Sequence, residues 1–126
     1  MAIMAGFMEV KRQFCKRRKG KTIMSIRLAD HNVRVTCPNG HQNMINIQDW
    51  EMDDPEVYPK ANSQMGSEIC HRFHIDGVSC SEQNCNESIS AEIEVWEYPA
   101  GMEESRAASD NVNGVDVDMA IKVDVD

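Results

Sequence analysis

The sequence has 126 residues and a mass of 14.3 kDa, which predicts one domain because two separate cores would be hard to build from so short a chain. Aromatic residues make up 6% and hydrophobic residues 41%, so we expect a small, aliphatic core. The formal net charge of −8 argues against general nucleic-acid binding, unless a basic extension does it alone. The sequence has no apolar run of about 18 residues and no signal-peptide pattern, so we expect a cytoplasmic protein.

Residues 1–24 are predicted to form a basic arm, with seven Lys or Arg residues against one acidic residue. Three interpretations stay open. The arm is a solvated, partly disordered tail, or its residues 11–21 bind nucleic acid or an acidic partner. In the third interpretation the arm is not native coding sequence. Lys19-Gly20 is a dipeptide that an in-frame ribosome-binding site would encode shortly before Met24, where translation would then begin.

The body, residues 25–99, is predicted to be mostly β and antiparallel. Val33 and Val35 alternate with a polar residue and run into a Pro-Asn-Gly turn. Further strands are predicted at residues 44–47, 69–75 and 89–98, the last of which has the clearest period of two. Asp76-Gly77 predicts a turn or bulge. Residues 50–67 are interpreted as a long connecting loop or a small helical insertion.

The tail, residues 100–126, is predicted to be a linker followed by an acidic C-terminal strand. Its apolar residues alternate with mostly acidic ones from Val115 to the end of the chain, a period that places them on one face of a strand. Three roles stay open for this strand. It joins the body sheet, it adds to the sheet of a partner or a second copy, or its acids mimic nucleic-acid phosphates in a basic groove of another protein.

The strongest local motif is Cys37-Pro38-Asn39-Gly40-His41. A thiolate and an imidazole so close in sequence converge only if the backbone turns back tightly, which proline and glycine favour. Cys80 and Cys85 enclose a second polar turn, and each pair lies between two predicted strands. The five cysteines are an odd number in a chain without an export signal, which argues for metal binding over disulfides.

This Cys-Pro-x-Gly-His sequence resembles the first knuckle of zinc-ribbon and treble-clef domains, over residues 33–98. The resemblance implies a small antiparallel zinc ribbon in which two hairpin ends bind one Zn²⁺. Its ligands would be Cys37, His41, Cys80 and Cys85. The second turn departs from the pattern, because it is longer than Cys-x2-Cys and lacks a glycine.

Cys70, His71 and His74 are rival ligands. On a strand, Cys70 and His74 would lie about 13 Å apart, too far to share one ion. His71 has the phase of the apolar residues, which favours a hydrogen-bonded core histidine. Cys70 is expected to be structural or free.

A site with four soft ligands has no open coordination position, so the predicted zinc is structural and we expect no enzymatic activity. Trp96 and Tyr98 share the outward side of the last body strand with Glu92 and Glu94. Three readings are open for these aromatics: a stacking platform for bases, a protein interface, or packing under the 50–67 segment or the C-terminal strand.

Together these features predict a non-enzymatic zinc protein that acts as a protein-interaction adaptor or inhibitor, of bacterial or phage regulatory type. One alternative is a nucleic-acid-binding zinc ribbon that uses the arm, Trp96 and Tyr98. A third class is a hydrolase with an open zinc site.

Overall fold

A computed structural model describes residues 22–23, 25–60 and 66–123. The predicted basic arm therefore lies outside the described residues, apart from Thr22 and Ile23. The elements in chain order are β1 (Thr22–Ile23), β2 (Ile26–Leu28), β3 (Asn32–Thr36), β4 (Gln42–Asn46), a 3-10 turn (Ile47–Asp49), β5 (Glu51–Met52), β6 (Glu56–Tyr58), β7 (Glu68–Ser79), β8 (Ser88–Glu97), β9 (Glu103–Ala108), α1 (Gly114–Ala120) and β10 (Ile121–Val123). The prediction of a mostly β fold is confirmed. No helix in these ranges has the length and apolar character needed to cross a membrane.

The strands form three antiparallel sheets. A three-stranded sheet has the order β1-β2-β10, a two-stranded sheet pairs β3 with β4, and a larger sheet has the order β5-β7-β8-β9 with β6 also paired to β7. The last two sheets each contribute one turn that carries two of the predicted ligands, and we call these the ligand turns. The first, residues 37–41, joins β3 to β4, and the second, residues 80–87, joins β7 to β8.

The β7–β8 hairpin is the longest element of the fold. Along β8 every second residue is buried, because the strand lays one face on the core and the other towards solvent. In β7 the register shifts between Ile75 and Val78. Gly77, with φ 65°, supplies the left-handed backbone conformation at this predicted bulge. The bulge directs the end of β7 into the second ligand turn.

The core is one contiguous cluster of aliphatic side chains with few aromatics, as the composition predicts. It draws on all three sheets, the 3-10 turn and α1. Phe73 and Trp50 are the only large aromatic side chains among its described members. Burial of this shared cluster holds the three small sheets together, since an isolated two-stranded sheet is marginal in water.

Two segments predicted to lack strands contain short edge strands. The 50–67 segment was predicted to be a loop or helical insertion, but β5 and β6 within it both pair with β7. The predicted linker contains β9, which pairs with β8. The residues of β5, β6 and β9 are exposed or half-buried, so the alternation of buried and exposed residues that signals a strand is absent. These edge strands form because their backbones hydrogen-bond to β7 and β8, the central strands of the sheet.

The prediction of a continuous C-terminal strand is wrong for residues 114–120, which form α1. Asn113 caps the helix by accepting a hydrogen bond from Val115 N at 3.0 Å. The buried Asp116 carboxylate accepts one from Arg34 N at 3.0 Å. The valines do not share a face, because Val115 is 64% exposed and Val117 is 1% exposed.

A strand is present only at Ile121–Val123, where β10 pairs with β2. This part of the tail joins the chain's own sheet, which was one of the three roles left open. Residues 124–126 of the predicted strand lie outside the described residues.

Candidate metal centre

The first ligand turn (residues 37–41) is closed by its own backbone. Cys37 N donates to His41 O at 2.8 Å, and Gly40 N donates to Cys37 O at 2.9 Å. Gly40 has φ 91°, a conformation that other residues rarely adopt. The Pro-Asn-Gly sequence therefore brings the Cys37 and His41 side chains to one side of the hairpin end.

The second ligand turn (residues 80–87) is closed in a similar way. Cys80 N donates to Glu87 O at 3.2 Å, and Cys85 N donates to Glu82 O at 3.1 Å. The glycine missing from this turn is replaced by Asn84, which has φ 67°. Asparagine tolerates the left-handed conformation better than most residues, so the departure from the Cys-x2-Cys pattern still gives a tight turn.

The two turns bring the four predicted ligands together. One ligand atom from each of Cys37, His41, Cys80 and Cys85 lies within 4.8 Å of all the others. His41 Nδ1 lies 3.5 Å from Cys37 Sγ and 3.8 Å from Cys80 Sγ, and Cys37 Sγ lies 3.9 Å from Cys85 Sγ. Sulfur at about 2.3 Å and nitrogen at about 2.0 Å from one tetrahedral zinc would be separated by about 3.5–3.8 Å.

Hydrogen bonds at the Cys80 sulfur favour the thiolate that a metal requires. At Cys85, by contrast, the hydrogen bond from the Glu87 backbone lowers the pKa of the thiol, but burial and the neighbouring Cys80 and Cys37 sulfurs raise it more. Asn43 Nδ2 lies 3.4 Å from Cys80 Sγ, and Glu82 N lies 3.5 Å from it. The Asn43 amide, followed by the Glu82 N–H, lowers the pKa of Cys80 to about 6. Asn39 N donates to Cys37 Sγ at 3.3 Å. The cluster thus carries donors that stabilise negative sulfur.

The sulfur and nitrogen atoms that the cluster offers determine which cations it can bind. Calcium and magnesium prefer oxygen ligands, and this cluster offers sulfur and nitrogen only. Three thiolates and one imidazole in a closed tetrahedral arrangement are typical of structural zinc sites. Within the described ranges, no other group of three or more His, Cys, Asp and Glu side chains is arranged to hold a metal.

The three rival ligands lie outside this cluster. Cys70 is buried in β7, where burial raises the pKa of its thiol to about 11, as expected for an inert structural cysteine. His71 is 2% exposed and hydrogen-bonded to Glu97, as expected for a core histidine. His74 lies 3.7 Å from carboxylates of Asp53 and Asp76 on the outer side of the sheet.

Besides Asp116 in α1, sequence reasoning missed two further buried polar residues, Glu97 and Asn43. Glu97 is 0% exposed and accepts hydrogen bonds from Ser25, from His71 and, at 2.9 Å, from Gly101 N. Asn43 is 5% exposed and lies between the two ligand turns. Both share the phase of inward apolar residues, Glu97 with Val95 and Asn43 with Ile45. That phase is the signal that could have found them.

Trp96 at the end of β8 and Tyr98 just after it pack against the 50–67 segment, which is one of the open readings. The Tyr58 and Trp96 rings lie 5.5 Å apart, and Lys60 Nζ lies 4.1 Å from the centre of the Tyr98 ring. Glu94 accepts a hydrogen bond from Trp96 Nε1 at 2.9 Å. These contacts and acidic neighbours make the face a poor platform for nucleic-acid bases.

Comparison with known proteins adds no family to this picture. No protein-family model matches the chain, and neither a curated protein nor a solved structure matches it. The mostly β fold and the four-ligand cluster therefore stand on the chain's own geometry.

Proposed function

We propose that this protein is a non-enzymatic structural-zinc protein that acts through contacts with another protein. The observation that carries the proposal is the convergence of four ligand atoms from two hairpin ends. In this proposal Zn²⁺ joins the β3–β4 turn to the β7–β8 turn, as in the zinc-ribbon domains that the Cys-Pro-x-Gly-His motif resembles. Bound zinc would supply a rigid tetrahedral cross-link at this end of the molecule.

The ligand count supports a structural role over a catalytic one. A catalytic zinc keeps one coordination position for water or substrate, and four protein ligands occupy all the positions of a tetrahedral ion. With three thiolates the charge of the site would be about −1, which makes the ion a weak Lewis acid. A hydrolase would need one of the four side chains to leave the metal.

The charge distribution supports a protein partner over nucleic acid. Residues 25–102 carry thirteen acidic and four Lys or Arg residues, and residues 103–126 carry seven acidic and two. Such a body repels phosphate and attracts a basic protein surface.

On α1, Val115 and Met119 are exposed and one turn apart, so they lie on the same side of the helix. We propose this side as the contact with a basic partner.

Cobalt substitution tests the metal part of the proposal. Co²⁺ added to metal-free protein should give sulfur-to-cobalt charge-transfer absorption and a tetrahedral d–d band, and Zn²⁺ should remove both. Cys37→Ser should lose the ion and with it the charge-transfer band. Cys70→Ser, a matched control at a buried cysteine outside the cluster, should leave it unchanged. Absence of thiolate–cobalt absorption in the wild type would contradict the proposed site.

The partner class is tested with two variants of the full chain. A basic partner that copurifies with the protein, and that captures it in the reverse experiment, should lose binding on Met119→Lys and retain it on Met102→Lys, the same change at a comparably exposed methionine outside α1. Binding to single-stranded nucleic acid that falls steeply with salt, and disappears on removal of residues 1–23, would support the alternative function instead.

A further inference from the structure

Asn43 is a polar residue whose side chain is buried, at a position on β4 that faces the core. It lies in β4 opposite Val35 and is 5% exposed. A buried carboxamide is costly unless its donors and acceptor find partners. The partners of Asn43 are therefore informative, and all of them belong to the two ligand turns.

The contacts of Asn43 join one turn to the other. Its Oδ1 accepts a hydrogen bond from Ser81 N at 2.7 Å, and its Nδ2 lies 3.4 Å from Cys80 Sγ. The same Nδ2 donates to His41 O at 3.4 Å. The Asn43 side chain thus contacts His41 in the first turn, and both Cys80 and the Ser81 backbone in the second.

The backbone fixes which end of the carboxamide faces the sulfur. Ser81 N is a backbone donor, so the Asn43 atom at 2.7 Å from it must be the accepting oxygen. The other end, which faces Cys80 Sγ, must then be the amino group. The hydrogen bond to sulfur consequently follows from geometry that does not depend on an arbitrary choice of amide orientation.

We infer that Asn43 is a positioning residue of the metal centre. Its buried carboxamide holds the Cys80 sulfur and the Ser81 backbone against the first ligand turn, so that the ligands are close together before a cation binds. The inference rests on the proposed metal centre and deepens it. Partners that orient ligands in this way commonly affect metal affinity about 10- to 100-fold.

The chain contains a matched comparison in Asn39. Its Nδ2 lies 3.6 Å from Cys85 Sγ, and this contact is exposed to solvent. Asn39 and Asn43, two asparagines of the β3–β4 hairpin, therefore each face a sulfur of the β7–β8 hairpin. Water can replace the exposed amide of Asn39, whereas it has no access to the buried site of Asn43. The two positions separate the effect of burial from that of the amide itself.

The test uses Asn43→Asp in the full chain, with Asn39→Asp as control. Aspartate keeps the oxygen that accepts from Ser81 N, but places a carboxylate oxygen beside the Cys80 sulfur. We expect Zn²⁺ affinity, measured by competition with a colorimetric chelator, to fall about 10- to 100-fold for Asn43→Asp. The charge-transfer absorption of the cobalt form should change as well. Asn39→Asp should change both by much less.

Wild-type affinity and an unchanged cobalt spectrum in Asn43→Asp would overturn the inference. If that variant does not fold, Asn43→Ser decides, because serine is small and polar but too short to reach the sulfur. Weakened zinc binding by Asn43→Ser supports the positioning role, and wild-type binding overturns it. Failure of the wild type itself to bind Zn²⁺ or Co²⁺ would instead contradict the proposed metal centre, so the two failures are distinguishable.

Discussion

Two polar clusters occupy opposite ends of the β7–β8 hairpin, and they are completed in different ways. At one end, the buried Glu97 carboxylate accepts hydrogen bonds from Ser25, His71 and Gly101. At the other end, roughly 30 Å away at about 3.3 Å per residue of strand, lie the three cysteines and His41. The Glu97 cluster is satisfied by the protein itself, whereas the ligand cluster is completed by a cation in our proposal.

The comparison teaches that the two ends should respond to different conditions. The Glu97 cluster ties β7 and β8 to the segment that includes Ser25, so its loss should destabilise the whole domain at any metal concentration. The ligand cluster joins only the two turns, so its loss should act first on residues 37–41 and 80–87. The predictions below separate these responses.

Chelation of the metal should have the largest effect on stability. A ligand at a thousand times its dissociation constant stabilises the native state by about 4 kcal/mol, and removal of zinc should lower the thermal midpoint accordingly. Amide exchange should accelerate in residues 37–41 and 80–87. Residues in the centre of β8, such as Ile93 and Val95, should remain protected because they lie several residues along the strand from the ligand turns, although Cys37 and Cys80 belong to the same core cluster.

Addition of Zn²⁺ to the chelated protein should restore both the midpoint and the exchange protection, and Mg²⁺ should not. Equal acceleration of exchange throughout β8 would show that the core depends on the metal. That outcome would contradict the separation of the two ends.

Replacement of Glu97 should have the next largest effect. Glu97→Ala leaves the buried His71 ring and the Gly101 N–H without their acceptor, which we expect to cost about 3 kcal/mol. Denaturant unfolding measures this loss. Glu92→Ala, on the exposed side of the same strand, should change stability by less than about 0.5 kcal/mol. The two variants should bind Zn²⁺ with equal stoichiometry, and a lost metal in Glu97→Ala would mean that the two ends are coupled.

A helix at residues 114–120 and a strand there predict different effects of valine substitutions on stability. Val117→Ala should cost about 2 kcal/mol because its side chain is buried, while Val115→Ala should cost less than about 0.5 kcal/mol because its side chain is exposed. On a strand these residues would share one face and respond alike. Equal losses in denaturant unfolding would therefore favour the strand that the sequence pattern indicated.

The pH dependence of stability should show a smaller, acid-sensitive contribution from Glu97. Burial raises the pKa of this carboxyl, but hydrogen bonds from Ser25, Gly101 and His71 lower it more, so it lies below the usual 4.5. A lowered pKa contributes stability that is complete above the unfolded value and is lost as the pH falls through the folded value. Each unit of lowering corresponds to about 1.4 kcal/mol.

The comparison of wild type with Glu97→Gln isolates this contribution, because metal loss in acid affects both proteins. Their difference in free energy of unfolding should be constant near neutral pH and shrink below about pH 4.5. A difference that grows as the pH falls would reverse the sign that we expect.

The sequence predicts the parts of this fold in which local chemistry and tertiary structure agree. The turn at Gly40 and the alternation along β8 led directly to the ligand turns and to the long hairpin. The prediction is wrong at α1, because the alternation of valines competes with the capping signal of Asn113 and with a buried contact from Asp116 to Arg34 N. The strand β9 was missed because its sequence has no alternation of hydrophobic and polar residues. It forms because its backbone pairs with β8.

The candidate site was predictable as far as the clustering of its four Cys and His side chains, since turn chemistry and Cys-His spacing are local. The supporting residues were not found, because the importance of Asn43 depends on a turn almost forty positions away in the sequence. Glu97 was overlooked for the same reason, as its partners Ser25 and His71 come from distant segments.

Native mass spectrometry of the full chain tests the central claim most directly. The account predicts one zinc ion per chain in the wild type and in Cys70→Ser, and loss of that ion in Cys37→Ser and Cys80→Ser. A wild-type protein that folds with no bound metal, or that keeps its zinc when Cys37 and Cys80 are both replaced, would contradict it.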